Sequence, residues 1–189
     1  MAPMAEAATN RPLRQQRRDI EHLRALMQQT PASLTGNAIG IVLVLLIYQG
    51  LSPPRVLGAW GVVSLLAWTV RLAHYRRYLR RPDADADTLV RWRRSWRALV
   101  IGQAALWGLA AWLFWGLGTP YHGLGLIFIV FSYCMASVQL LSAQPRVFLA
   151  FISVVLVPMI VRIASDTEHP WHWQLAGMLT IVFGLTALM

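Results

Sequence analysis

Residues 34–51 read LTGNAIGIVLVLLIYQGL and carry no charged side chain. As a helix rising 1.5 Å per residue, the stretch reaches roughly 27 Å, close to the apolar thickness of a bilayer. Pro53 and Pro54 close it, because proline lacks the amide hydrogen that a helix interior uses. The same pattern recurs downstream at about 56–75, 97–117, 122–142, 146–164 and 171–189. Most breaks are short: Pro53-Pro54, then GTPYH over 118–122, then Ser142-Ala143-Gln144-Pro145. The pattern predicts an all-α, polytopic membrane helix bundle of about six transmembrane helices.

Upstream, residues 1–12 are rich in Ala, Pro and polar groups and are expected to be disordered. Residues 13–29, LRQQRRDIEHLRALMQQ, place Ile20, Leu23, Leu26 and Met27 at helical spacing among arginines. This predicts an amphipathic juxtamembrane helix, lying in the headgroup layer or serving as a plain helical extension. The domain reading is therefore an N-terminal segment over 1–33 and a transmembrane bundle over 34–189. No solenoid-type repeat and no soluble second domain are read.

Composition points the same way. Hydrophobic residues make up 57% and charged residues only 13% of the 189, against about a quarter charged in soluble domains. Too few charges remain to cover a water-facing surface. The formal net charge is +9, and all 17 basic residues are arginine. They lie between apolar blocks, so topology explains them better than nucleic acid, which is not expected as a partner. Five precede the first span, and Arg146 precedes the fifth. Nine (Arg71, Arg76, Arg77, Arg80, Arg81, Arg91, Arg93, Arg94 and Arg97) lie between the second and third. The opposite side holds Arg55 and Arg162. Basic residues mark the cytoplasmic side, so both termini are expected in the cytoplasm. Trp60, Trp92, Trp96, Trp115, Trp171 and Trp173 fall near predicted span ends, as in an interfacial belt. The single cysteine, Cys134, excludes an internal disulfide. The polar first thirty residues hold no cleavable signal pattern, and the first span reads as an uncleaved anchor.

Catalytic signatures are absent: there is no glycine-rich phosphate loop, zinc-helix motif or nucleophile elbow. The segment is read as non-enzymatic, with no cofactor and an unidentified ligand. Polar groups inside spans are costly and mark candidate sites. These are Asn37, Gln103, Ser132 and Gln139, with Arg71 and Trp107. They form either a polar pocket or helix-to-helix hydrogen bonds, with Arg71 snorkelling to headgroups. Pro158 implies a kink or a working hinge in the fifth span. His122, His169 and His172 at the outer face are a candidate metal or proton-sensing set, or solvated loop residues. Gly36–Gly40 and Ala104–Gly108 have small-xxx-small spacing, which serves packing within the bundle or a homodimer.

The string LRALMQQTPASLTGNAIGIVLVLLIY, residues 23–48, resembles the entrance to a MASE-like bacterial membrane-associated sensor region. Such regions precede diguanylate cyclase (GGDEF) domains, sometimes with EAL domains, and occur in some hybrid histidine kinases. The likeness rests on Pro31, Ser33, Leu34 and Asn37, on Trp60 with Arg71, on Trp107-Gly108, and on Pro145, Phe148 and Phe151 followed by Pro158. It implies a sensory input module for cyclic-di-GMP or phosphorelay signalling, a cytoplasmic output domain in cis, and a homodimer. The apolar finish at Met189 fits a module cut from a longer protein. A small transporter is the rival reading, and it predicts repeats and broken helices around a midplane site.

Overall fold

A computed structural model describes residues 29–80, 86–141, 144–168 and 170–188, without the side chains of 86, 87, 139 and 140. The amphipathic stretch expected over 13–29 lies almost entirely outside the described residues. Among the described residues there are six helices and no strand. They are α1 Gln29–Tyr48, α2 Pro54–Leu79, α3 Ala86–Phe114, α4 Pro120–Leu141, α5 Pro145–Ala164 and α6 His172–Leu188. Three of them begin on a proline, whose fixed φ suits a first helical turn where no donor is needed. Beyond α3, Gly116 and Gly118 take φ of 83° and 80°, a left-handed backbone that glycine adopts without a Cβ clash.

Helices α2 and α3 run past the apolar blocks that announced them. Helix α3 begins at Ala86, through RWRRSWR, because a helix closes its own hydrogen bonds whether its side chains meet lipid or water. Length matched to lipid limits only the apolar part of a helix. Neighbouring helices run antiparallel, as α2 and α3 do where Tyr78 meets Trp92 and Trp60 meets Leu106, so α1, α3 and α5 run away from the arginine-rich end of the bundle and the others run toward it.

Helices α1 to α5 are long and apolar enough to cross a membrane, and α6 is a shorter apolar helix. In none of the five is more than 44% of the most apolar stretch buried. The remainder turns outward, and it includes Ile39, Leu46, Val62, Leu66 and Phe128. A monomer exposing so much apolar surface is at home in hydrocarbon. The chain is a multi-pass membrane protein built as a helical bundle.

Inside, a column of aromatic rings ties five helices together. Tyr48 stacks on Phe114 at 5.1 Å, and Phe114 meets Trp60 at 5.5 Å. Trp60 meets Trp107 at 5.9 Å, Trp107 meets Tyr133 at 5.3 Å, and Tyr133 meets Phe151 at 5.4 Å. Side-chain donors reach backbone oxygens across helices. Trp68 Nε1 donates to Leu34 O at 2.8 Å, Trp60 Nε1 to Leu106 O at 2.9 Å, and the Tyr48 hydroxyl to His122 O at 3.1 Å. Trp60, Trp96 and Trp115 are therefore core residues, which corrects the belt reading for those three. Their depth in the chain resembled a belt, but their faces turn inward. Trp173 is exposed, as an interfacial residue would be.

Among α2 to α6 the most extensive contact is that of α3 on α5, and Pro158 shapes it. It offers no N–H to the Val154 carbonyl one turn earlier. That carbonyl lies against Gly108, where an added Cβ would meet the oxygen at 2.5 Å and Pro158 Cγ at 3.3 Å. The Ala104–Gly108 spacing thus serves packing within the bundle. Helix α5 continues through Pro158 as one element. Gly108→Ala should lower the midpoint of thermal unfolding in detergent, at a cost of about 1–3 kcal/mol from overpacking. Gly102→Ala, where a Cβ meets nothing within 4 Å, should leave the midpoint unchanged or raise it.

Candidate functional site

A slot of about 310 Å³ opens between α1 and α4. Helix α1 supplies Ser33, Gly36, Asn37, Gly40 and Leu43, and α4 supplies Phe128, Ile129, Ser132, Tyr133 and Ser137. Trp107 of α3 closes the back. It can do so because Gly40 has no side chain: a Cβ there would sit 2.8 Å from the indole ring. Gly36, one turn earlier, faces open space within the slot. The Gly36–Gly40 spacing therefore serves two purposes, one glycine admitting the indole and the other leaving a gap.

Helix geometry sets the polar groups at one depth. Tyr48 and Phe114 stack where α1 and α3 meet. Asn37 lies eleven residues before Tyr48, and Gln103 lies eleven before Phe114. Eleven residues make three turns with a small residual rotation, about 16 Å along the axis. Both helices run the same way, so both amides sit on the facing sides at equal depth. Asn37 is wholly buried and Gln103 almost so, at 0% and 1% exposure. Neither the oxygen nor the nitrogen of either amide has a hydrogen-bond partner among the described residues. The indole Nε1 of Trp107 is likewise unpartnered. An orphaned buried polar group costs about 1–3 kcal/mol, so packing alone gives no reason for three in one region.

Arg71 reaches the same region from α2. It is only 4% exposed, so it does not snorkel outward. Its Nη2 donates to Ser33 Oγ at 3.3 Å, and its Nη1 is buried without a partner. The Tyr133 phenol lies beside it. The carboxylates whose side chains are described, Asp166 and Glu168, lie beyond α5 at the opposite end. Asp166 accepts there from Trp115 Nε1 at 2.8 Å and from the Glu168 amide at 3.2 Å. Among the described side chains no carboxylate neutralises Arg71. A buried guanidinium in that state favours an anionic oxygen acceptor.

The slot thus gathers Asn37, Trp107 and Ser132 on its walls, with Arg71 behind Ser33 and Gln103 one turn below Trp107. The backbone of Gln139 lies in α4, and its side chain lies outside the described residues. Pro158 serves the α3–α5 contact and is not part of the slot. Sequence reasoning missed Tyr133 and the gap at Gly36, since an aromatic residue in a span and a glycine pair both read as packing.

Of the three candidate histidines, His122 and His172 each have contacts within their own segment. His122 caps the start of α4: its Nδ1 accepts the Thr119 amide at 2.9 Å and lies 2.8 Å from the Thr119 hydroxyl. The His172 ring lies against Trp173, and His169 lies outside the described residues. No group of three or more His, Cys, Asp or Glu able to hold a metal occurs among the described residues.

Comparison with protein-family models, with curated proteins and with solved structures finds no match to this chain.

If the Asn37 amide is kept for a ligand, removing it should not weaken the fold. Asn37→Leu should leave the thermal midpoint in detergent unchanged or higher, because the orphaned amide costs stability. Trp68→Phe, which deletes the bond to Leu34 O, should lower it at a cost of about 0.5–1.5 kcal/mol.

Proposed function

We propose that this membrane-embedded bundle is the sensory input module of a bacterial signalling protein, and that its signal binds in the slot between α1 and α4. The observation carrying this reading is the buried Asn37 amide, which faces the slot with both hydrogen-bonding atoms unused. Left unused, such a group costs about 1–3 kcal/mol, and a polar ligand group bonded to it in the slot recovers that cost.

The output in this reading is a diguanylate cyclase joined in cis beyond α6, as the resemblance of the α1 entrance implies. Both ends of the bundle face the cytoplasm of the inner membrane, in keeping with the arginine bias. Two cyclase domains must face each other to act, so the working form is a homodimer. A ligand in the slot selects one packing of α1 against α3 and α4. The aromatic column carries the shift to Phe151 of α5, and α5 packs on α6, which leads to the output domain.

The gene downstream of the Met189 codon should encode a helical linker followed by a GGDEF domain. In cells carrying the full-length protein, Asn37→Leu and Arg71→Gln should each change cyclic-di-GMP by about 5-fold or more, the lower end of ordinary allosteric coupling. A reporter fused after Met189 should be active in the cytoplasm. A stop codon after Met189, or a reporter outside the cytoplasm, would overturn the reading.

A further inference from the structure

The slot is polar at one end and apolar at the other. Helices α1 and α4 run in opposite directions, so Ser33 near the start of α1 and Ser137 near the finish of α4 lie at the same, arginine-rich end. Tyr133 lies one turn from Ser137, and the Arg71 guanidinium lies behind Ser33 and beside Tyr133. At the other end the walls are Leu43, Phe128 and Ile129. From Ser33 to Leu43 the slot follows α1 for roughly 15 Å. Its lips face outward, since Ile39 is 55% and Phe128 73% exposed, so access is sideways from the lipid. A volume of about 310 Å³ lies at the small end of the range for ligand sites. It suits one hydrocarbon chain.

These features describe an amphiphile in outline. We infer that the slot between α1 and α4 binds a single acyl chain carrying an anionic oxygen head, the chain lying along Gly36, Gly40 and Leu43 and the head meeting Ser33 and Asn37, with the Arg71 charge behind Ser33. This rests on reading the slot as the sensing site, and it names the ligand class. The Asn37 amide nitrogen is a donor without a partner among the described residues, and the Arg71 guanidinium, bonded to Ser33 Oγ, sets a positive charge behind that end of the slot. The Gly36 gap supplies room, since nothing lies within 4 Å of a Cβ placed there. A carboxylate or phosphate head would accept charge-assisted bonds, which are about twice as strong as neutral ones. A neutral head of the same size forgoes them.

The full chain, reconstituted in phosphatidylcholine nanodiscs, allows a direct test by equilibrium binding of dodecanoate and dodecanol. Dodecanoate should bind saturably and about tenfold or more tightly than dodecanol. Arg71→Gln should bring the two alcohol and acid affinities together. Gly36→Leu should abolish binding of both by filling the slot, while Gly102→Leu, at another open glycine, should bind like the unaltered chain. Displacement of dodecanoate by phosphatidylglycerol in the disc would assign the head to a bilayer lipid, and its persistence would assign it to a free acid. Equal binding of acid and alcohol by the unaltered chain, or unchanged dodecanoate binding by Gly36→Leu, would overturn the inference. Cyclic-di-GMP measured on the full-length protein separates this from the wider reading. Binding without any response removes the sensory role and leaves the site standing. A response to another stimulus without dodecanoate binding removes this ligand class alone.

Discussion

Hydrocarbon gives a polar group nothing to bond to, and the rest of this structure depends on that. Backbone amides must pair within their own segment, so the spanning segments are helices. Any side-chain donor or acceptor among them must find a protein partner or remain orphaned. Most find one. Trp60 and Trp68 donate to carbonyls on neighbouring helices, and Tyr48 donates to His122 O. Ser137, Thr180 and Thr186 bond back to the carbonyl four residues earlier on their own helices. Ser52, Ser64, His74 and Trp96 each leave one buried atom unpartnered, whereas Asn37 and Gln103 leave both atoms of an amide unpartnered, near Trp107 Nε1 and Arg71 Nη1, which are orphaned too.

The aromatic column supports this arrangement. Between helices in lipid, apolar burial gives little net drive, so close packing and hydrogen bonds must hold the bundle. Rings in contact provide that packing from Tyr48 to Phe151. The column also fixes the slot, because Trp107 belongs to both. Gly40 lets the indole approach α1, and Gly108, one residue along, lets α3 approach α5. Two glycines on two helices thus lock the aromatic core on opposite sides, and Gly36 leaves open the space that the column does not fill.

Much of the fold was legible in the sequence because the bilayer reads composition and length. Apolar blocks near 20 residues, closed by Pro54, Pro120 and Pro145, located the helices to within a few residues. The extension of α3 back to Ala86 was not legible, since hydrophobicity marks where a helix meets lipid and says nothing of where its hydrogen bonds begin. Asn37, Gln103 and Arg71 were legible as candidates by their cost alone. Their arrangement was not: the eleven-residue offset that brings the two amides level has meaning only once Tyr48 is known to stack on Phe114.

By itself, the order of residues determined that this chain is helical and membrane-embedded, and which polar groups are out of place in lipid. Only the tertiary structure decided which of those groups find partners and which do not. It separated Gly40 and Gly108, pressed against neighbours, from Gly36, which faces a gap. It also moved Trp60, Trp96 and Trp115 from an imagined interface into the core. The reason is physical. Transfer into hydrocarbon is a sum over residues along the chain, whereas hydrogen bonding and close packing depend on which face meets which neighbour at what depth. No linear pattern within one span contains that information.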